Sequence, residues 1–118
     1  MSIQRFESGP RMSQAVVHNK TVYLAGQVAE KARGTGVEEQ TRDILASIDR
    51  LLAQAGTDKS RLLSATIWLT DMATFGQMNK VWETWVVPGA TPARATVVSA
   101  QLAAPEFKIE IAVIAALP

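Results

Sequence analysis

The chain has 118 residues, 47% of them hydrophobic, with twelve basic residues against eleven acidic ones and a formal net charge of +1. That length suits one domain, taken here as residues 1–118, and is enough to bury a real core. The basic residues are scattered, which argues against a nucleic-acid surface, and the lack of cysteine excludes disulfides, a thiol nucleophile and thiolate metal sites.

Short strand signals come first: residues 3–6, 14–18 and 21–26. Asn19-Lys20 between the second and third gives a two-residue turn, so these two form a hairpin. A polar loop with two glycines, 30–36, precedes a helix over 37–55. There Val37, Thr41, Ile44, Leu45, Ile48, Leu51, Leu52 and Ala55 fall on one stripe, and Gly56 is a stop signal. Residues 62–69 alternate as a strand. Asp71 can cap a second helix over 72–87, whose stripe is Phe75, Met78, Trp82, Trp85 and Val86. Strands over 93–98 and 107–116 complete the chain. The single histidine, His18, falls at the hairpin and argues against a multi-histidine metal site or a Ser-His triad. No segment reads as a signal peptide and no apolar run nears the roughly 20 residues of a membrane span. A soluble, cytoplasmic protein without membrane partners is expected.

The two strand–helix–strand units favour parallel pairing with right-handed crossovers, which puts both helices on one face of one sheet. The last strand is apolar on both faces in its second half, as in a strand covered on both sides. No helix remains to cover the second face. A homo-oligomer with its sheets turned inward is therefore expected.

Arg94 stands near the start of an apolar strand, between Ala93 and Ala95. A guanidinium offers a planar fork that matches a carboxylate; the alternative is a structural ion pair at a strand end. Glu110, between Ile109 and Ile111, is a carboxylate in the most apolar strand. Burial would raise its pKa and a nearby arginine would lower it; the alternative is pairing with Lys108 at the sheet rim. Asn79 is a polar amide on an apolar helix stripe and needs partners. Gly26 would let a ligand or chain approach the backbone closely. The tryptophans read as core rather than as a base-stacking platform. On the residues alone, the last two strands pair as a hairpin that sets Arg94 opposite Glu110.

The stretches YLAGQVA, AGTDKSRLLSATIWLTDMATFGQMNKVWETW, PARATV and KIEIAVIA resemble, in this order and over nearly the whole chain, the Rid (YjgF) family. The resemblance implies a chorismate-mutase-like α/β (α+β) fold. Its mixed six-stranded sheet carries two helices on one face and turns the other inward in a homotrimer, with ligand sites between subunits. It places the last strand between earlier ones, against the hairpin. It also implies hydrolysis of reactive enamine or imine carboxylates of the 2-aminoacrylate type to 2-keto acids and ammonium, a form of metabolite damage control. That reaction uses no cofactor and no metal.

Carried over by position, Arg94 grips the carboxylate, Glu110 holds the attacking water, and Gly26, Asn79 and Thr96 line the site. Arg11, where deaminase members carry an aromatic residue, is a candidate second anion contact. Ala25 replaces a serine common in relatives. These departures point to a side branch of the family. The rival expectation is a non-catalytic trimer that binds a keto acid or serves regulation; an RNA-cleaving activity fits the near-neutral charge and lone histidine poorly.

Overall fold

Asn19 and Lys20 both take left-handed backbone angles, φ 51° and 62°, the geometry of a tight hairpin turn whose twist matches the strands it joins. That turn sets the register of the first half of the sheet. The structure, a computed structural model, describes residues 2–118. Seven strands and two helices follow in chain order: β1 (Gln4–Ser8), β2 (Ser13–His18), β3 (Thr21–Leu24), β4 (Gln27–Val28), α1 (Val37–Ala55), β5 (Leu62–Leu69), α2 (Phe75–Trp85), β6 (Ala93–Val98) and β7 (Ile109–Ala116). The sheet order is β1-β2-β3-β7-β5-β6, with β4 also paired to β7. All neighbours are antiparallel except β5 and β6.

The α+β class and the mixed sheet match expectation. The last strand lies between β3 and β5, as the resemblance implied and not as a hairpin with β6. The physical reason lies in its composition. The second half of β7 is apolar on both faces, and the centre of the sheet is where a strand gains most from having neighbours on both edges. One detail departs from the six expected strands. The segment read as one strand over 21–26 breaks after Leu24, and the chain resumes as the two-residue β4 against β7. Gly26 sits in that break. The second helix also begins differently: Asp71 caps a 3₁₀ turn, Met72–Thr74, by accepting from the Ala73 N–H at 2.9 Å, and α2 proper starts at Phe75.

Both helices cover one sheet face. Ile44, Ile48, Leu51 and Leu52 of α1 and Met78 of α2 are fully buried against Val22, Ile67, Leu69, Ile109, Ile111 and Val113. Each such side chain contributes about 1.5–3 kcal/mol through removal from water. α1 stops at Gly56, whose φ of 95° favours glycine; the Thr57 N–H then bonds the Leu52 carbonyl at 2.9 Å.

The other sheet face is open in the single chain. β-Strand alternation and the pairing register put Val16, Tyr23, Ile114, Ala112, Thr66, Trp68, Ala95 and Val97 on it. Tyr23 and Val97 are each more than 40% exposed, so this face is an apolar surface with nothing of its own chain over it. Trp82 and Trp85 are core, as expected, whereas Trp68 belongs to this open face.

One buried amide locks the entry to β7. Gln40 on α1 donates to the carbonyls of Thr35 (3.0 Å) and Glu106 (2.8 Å) and accepts from the Lys108 N–H (2.9 Å). It fixes the backbone two residues before Glu110. Gln40→Ala orphans all three groups and is expected to lower stability by about 2–4 kcal/mol, read from urea unfolding; a loss below about 0.5 kcal/mol would show that water replaces the amide.

Candidate functional site

α2 presents Phe75, Met78, Asn79 and Trp82 at intervals of three and four residues, so all four share one helical face. Opposite them, on edge strand β6, stands Arg94. Its register partner is Ala65, a buried residue of the helix-covered face, and Arg94 therefore points toward α2. Arg94 Nη1 donates to Asn79 Oδ1 at 2.8 Å and lies 4.0 Å from Met78 Sδ. The guanidinium carbon is 5.4 Å from the Trp82 ring centroid and 5.7 Å from that of Phe75. The ring faces attract the cation while leaving its charge unneutralised. Among the described residues no carboxylate pairs with Arg94, although six other ion pairs form on the surface. The structural ion pair is thus absent, and a half-buried fork remains available to an anion.

Thr96 follows Arg94 on the same face, and its register partner is Ile67. Its hydroxyl oxygen is buried and has no hydrogen-bond partner. An orphaned buried hydroxyl costs about 1–3 kcal/mol, so a ligand or water that reached it would be favoured.

Glu110 belongs to a second cluster. It pairs in register with Trp68 of β5 and Val28 of β4 and so points to the open face. It forms no ion pair with Lys108, nor with any other described cation. Burial pushes its pKa above the ordinary glutamate value. Its side chain lies over Gly26: a Cβ added there would come within 2.9 Å of the Glu110 carboxyl carbon. This close approach is what requires glycine at position 26.

Arg94, Asn79 and Thr96 thus form one group and Glu110 and Gly26 another, on opposite faces of one sheet. A single chain does not bring the two into one cleft. Arg11 lies exposed in the β1–β2 turn, lining a shallow concavity with Glu7, Gly9, Met12 and Gln14, and among the described residues no ion pair joins it to either group. The clearest concavities of the chain are lined by other residues than Arg94 and Glu110. Sequence reading missed the aromatic seat of Arg94. The signal was present, because Phe75 and Trp82 flank Asn79 at helical spacing. Among the described residues no group of three His, Asp or Glu side chains is placed to hold a metal, and no helix is long and apolar enough to cross a membrane.

The chain is thus a small α+β domain with helices on one sheet face, an arginine without an ion pair at the sheet edge and a desolvated glutamate on the open face. The family model described as Endoribonuclease L-PSP matches residues 2–117. A RutC family protein of Haemophilus influenzae is 44% identical over 115 residues, covering 98% of each chain. The crystal structure of a YjgF-family protein from Neisseria meningitidis superposes with a TM-score of 0.93 at 45% identity, covering 100% of this chain and 97% of that one. A mouse protein named 2-iminobutanoate/2-iminopropanoate deaminase is 35% identical over 88 residues, 70% of this chain and 64% of its own length. The chain belongs to the Rid (YjgF) family.

The raised pKa of Glu110 has a consequence for stability. The native state keeps the proton at pH values where the unfolded chain has released it, so unfolding free energy falls as pH rises through the folded-state value. Glu110→Gln removes that slope. The variant is expected to melt above wild type at neutral pH and to converge with it below about pH 4. Thermal unfolding across this range checks it, and a variant that melts lower at neutral pH would mean the carboxylate has a stabilising partner.

Proposed function

We propose that the chain is an enamine/imine deaminase that hydrolyses 2-imino acids, and their 2-aminoacrylate-type enamine tautomers, to 2-keto acids and ammonium. It works as a homotrimer whose sites lie between subunits. Arg94, Asn79 and Thr96 come from one chain, and Glu110 and Gly26 from the next. The observation that carries this reading is the pair of unmet charges, one on each face of the sheet. Docking the open face of one copy on the β6 edge of another would let both serve one cleft and would cover the apolar surface of Tyr23, Ile114 and Val97. The deaminase named among the relatives supports the reaction class.

The chemistry follows from the groups. The Arg94 fork, held by Asn79 and the two rings, takes the substrate carboxylate through two charge-assisted hydrogen bonds. Glu110 accepts a proton from water as its oxygen bonds to the C=N carbon. The resulting carbinolamine nitrogen then receives the proton from Glu110. Glu110 next takes the carbinolamine hydroxyl proton and passes it to the nitrogen, so that the C–N bond breaks as the C=O forms and ammonia departs to become ammonium in solution. A carboxylate whose pKa is raised lies closer to the working pH and moves that proton with a smaller mismatch. Positioning supplies much of the acceleration, because the free imine also hydrolyses in water. Arg11, on the β1–β2 turn of the Glu110-bearing chain, would stand at the mouth as a second anion contact. The small substrate, a cytoplasmic setting and the absence of a cofactor belong to the same reading.

The test is keto-acid release from an imine generated in place by an amino-acid oxidase or a serine dehydratase. Wild type should accelerate release. Arg94→Ala should lose about ten- to a hundredfold in kcat/KM, the equivalent of a charged hydrogen bond, and Arg94→Lys should not restore it because a point charge lacks the fork. Tight keto-acid binding without acceleration would replace catalysis with a ligand-sensing trimer.

A further inference from the structure

Glu110 occupies an unusual row. Across the open face, the register aligns Val28 of β4, Glu110 of β7, Trp68 of β5 and Val97 of β6. Three of the four are apolar, and the carboxylate stands between two of them. Cross-strand neighbours on one face have Cβ atoms about 4.5–5.5 Å apart, within reach of an indole. On the far side from Trp68 the Glu110 side chain lies over Gly26, where the missing Cβ leaves it room.

We propose that Trp68 is a positioning residue for Glu110: its indole walls off the β5 side of the carboxylate, directs the side chain over Gly26 and keeps water from one flank. This rests on the reading that Glu110 moves the proton in imine hydrolysis. A carboxylate free to swing would share its time between the water to be activated and bulk solvent. One held between an indole and a glycine backbone presents its oxygens in one direction.

The direction of the Glu110 pKa agrees, because its cause is burial rather than a charged neighbour. Within one chain the surroundings leave few other causes, and in the proposed trimer Arg94 of the neighbouring chain would lower the value and is present in every variant below. β4 and β5 put no titratable side chain on this face: Val28 comes from β4, and Ser64, Thr66 and Trp68 from β5. β6 adds Ala93, Ala95 and Val97. Tyr23 of β3 stands farther along the face, opposite Ile114. Lys108 is two residues before Glu110, just ahead of β7, exposed and not ion-paired; a cation there lowers a carboxylate pKa, so it acts against the upward shift. It is present in every variant below.

The experiment follows the Glu110 carboxyl carbon by NMR in ligand-free protein labelled at glutamate, assigned with Glu110→Gln, through a pH titration. Wild type is compared with Trp68→Phe, Trp68→Val and Trp68→Thr, alongside pH profiles of kcat/KM for imine hydrolysis. Val and Thr are both strand formers, so either keeps the test alive if the other fails to fold. Trp68→Phe should titrate like wild type. Trp68→Val and Trp68→Thr should titrate about half a pH unit or more lower, toward the ordinary glutamate value. The acid limb of kcat/KM should move with them, with kcat falling more than KM changes. A Glu110 titration unmoved in the Val and Thr variants overturns the proposal whatever the activity. A titration that moves in a protein without imine turnover supports the packing of Trp68 on Glu110 and overturns the catalytic reading instead.

Discussion

A carboxylate near the start of an inner strand of the sheet, half-buried and paired with no cation of its own chain, is an expensive thing to fold. Water would solvate Glu110 better than Val28, Trp68 and the Gly26 backbone do, which is why its proton is held more tightly than in an ordinary glutamate. Much of the surrounding structure can be understood from that one cost. The chain breaks between β3 and β4 where Gly26 makes room for the side chain. Gln40 fixes the backbone just ahead of it by accepting from the Lys108 N–H. β7 is surrounded by strands on both edges, so the carboxylate cannot escape to a sheet rim.

Arg94 is the counterpart on the other face. Other arginines of the chain pair with its own carboxylates, as Arg33, Arg42 and Arg50 do on the surface. Arg94 is instead seated by an amide oxygen and two ring faces, which orient the fork without neutralising it. One unmet charge on each face of a single sheet fits the finding that the clearest concavities of the single chain are lined by other residues. In the proposed oligomer, the surface that association would bury carries Glu110.

Much of this was legible in the residues. The α1 stripe ends where Gly56 ends it, and the strands 62–69 and 93–98 coincide with β5 and β6, because periodicity and turn residues agreed at those places. Glu110 stood out as the charge in an apolar strand. What the residues alone did not reveal is long-range. A hairpin between the last two strands satisfies local pattern as well as insertion between β3 and β5 does, and only the whole sheet's need for a doubly apolar centre decides between them. The family resemblance carried that choice. The faces of Arg94 and Glu110 follow from register, which a sequence does not state. The helix stripe marks Trp82 and Trp85 as core, whereas the face of Trp68 follows only from its pairing with Glu110 across the sheet.

The most direct measurement mixes two disabled variants, Arg94→Ala and Glu110→Ala, by co-refolding, and assays imine hydrolysis in the mixed oligomers. If each site draws Arg94 from one chain and Glu110 from its neighbour, random mixing rebuilds about a quarter of the sites, and the mixture should regain activity that neither variant has alone. Mixed oligomers that stay as inactive as the parents would contradict a site shared between chains.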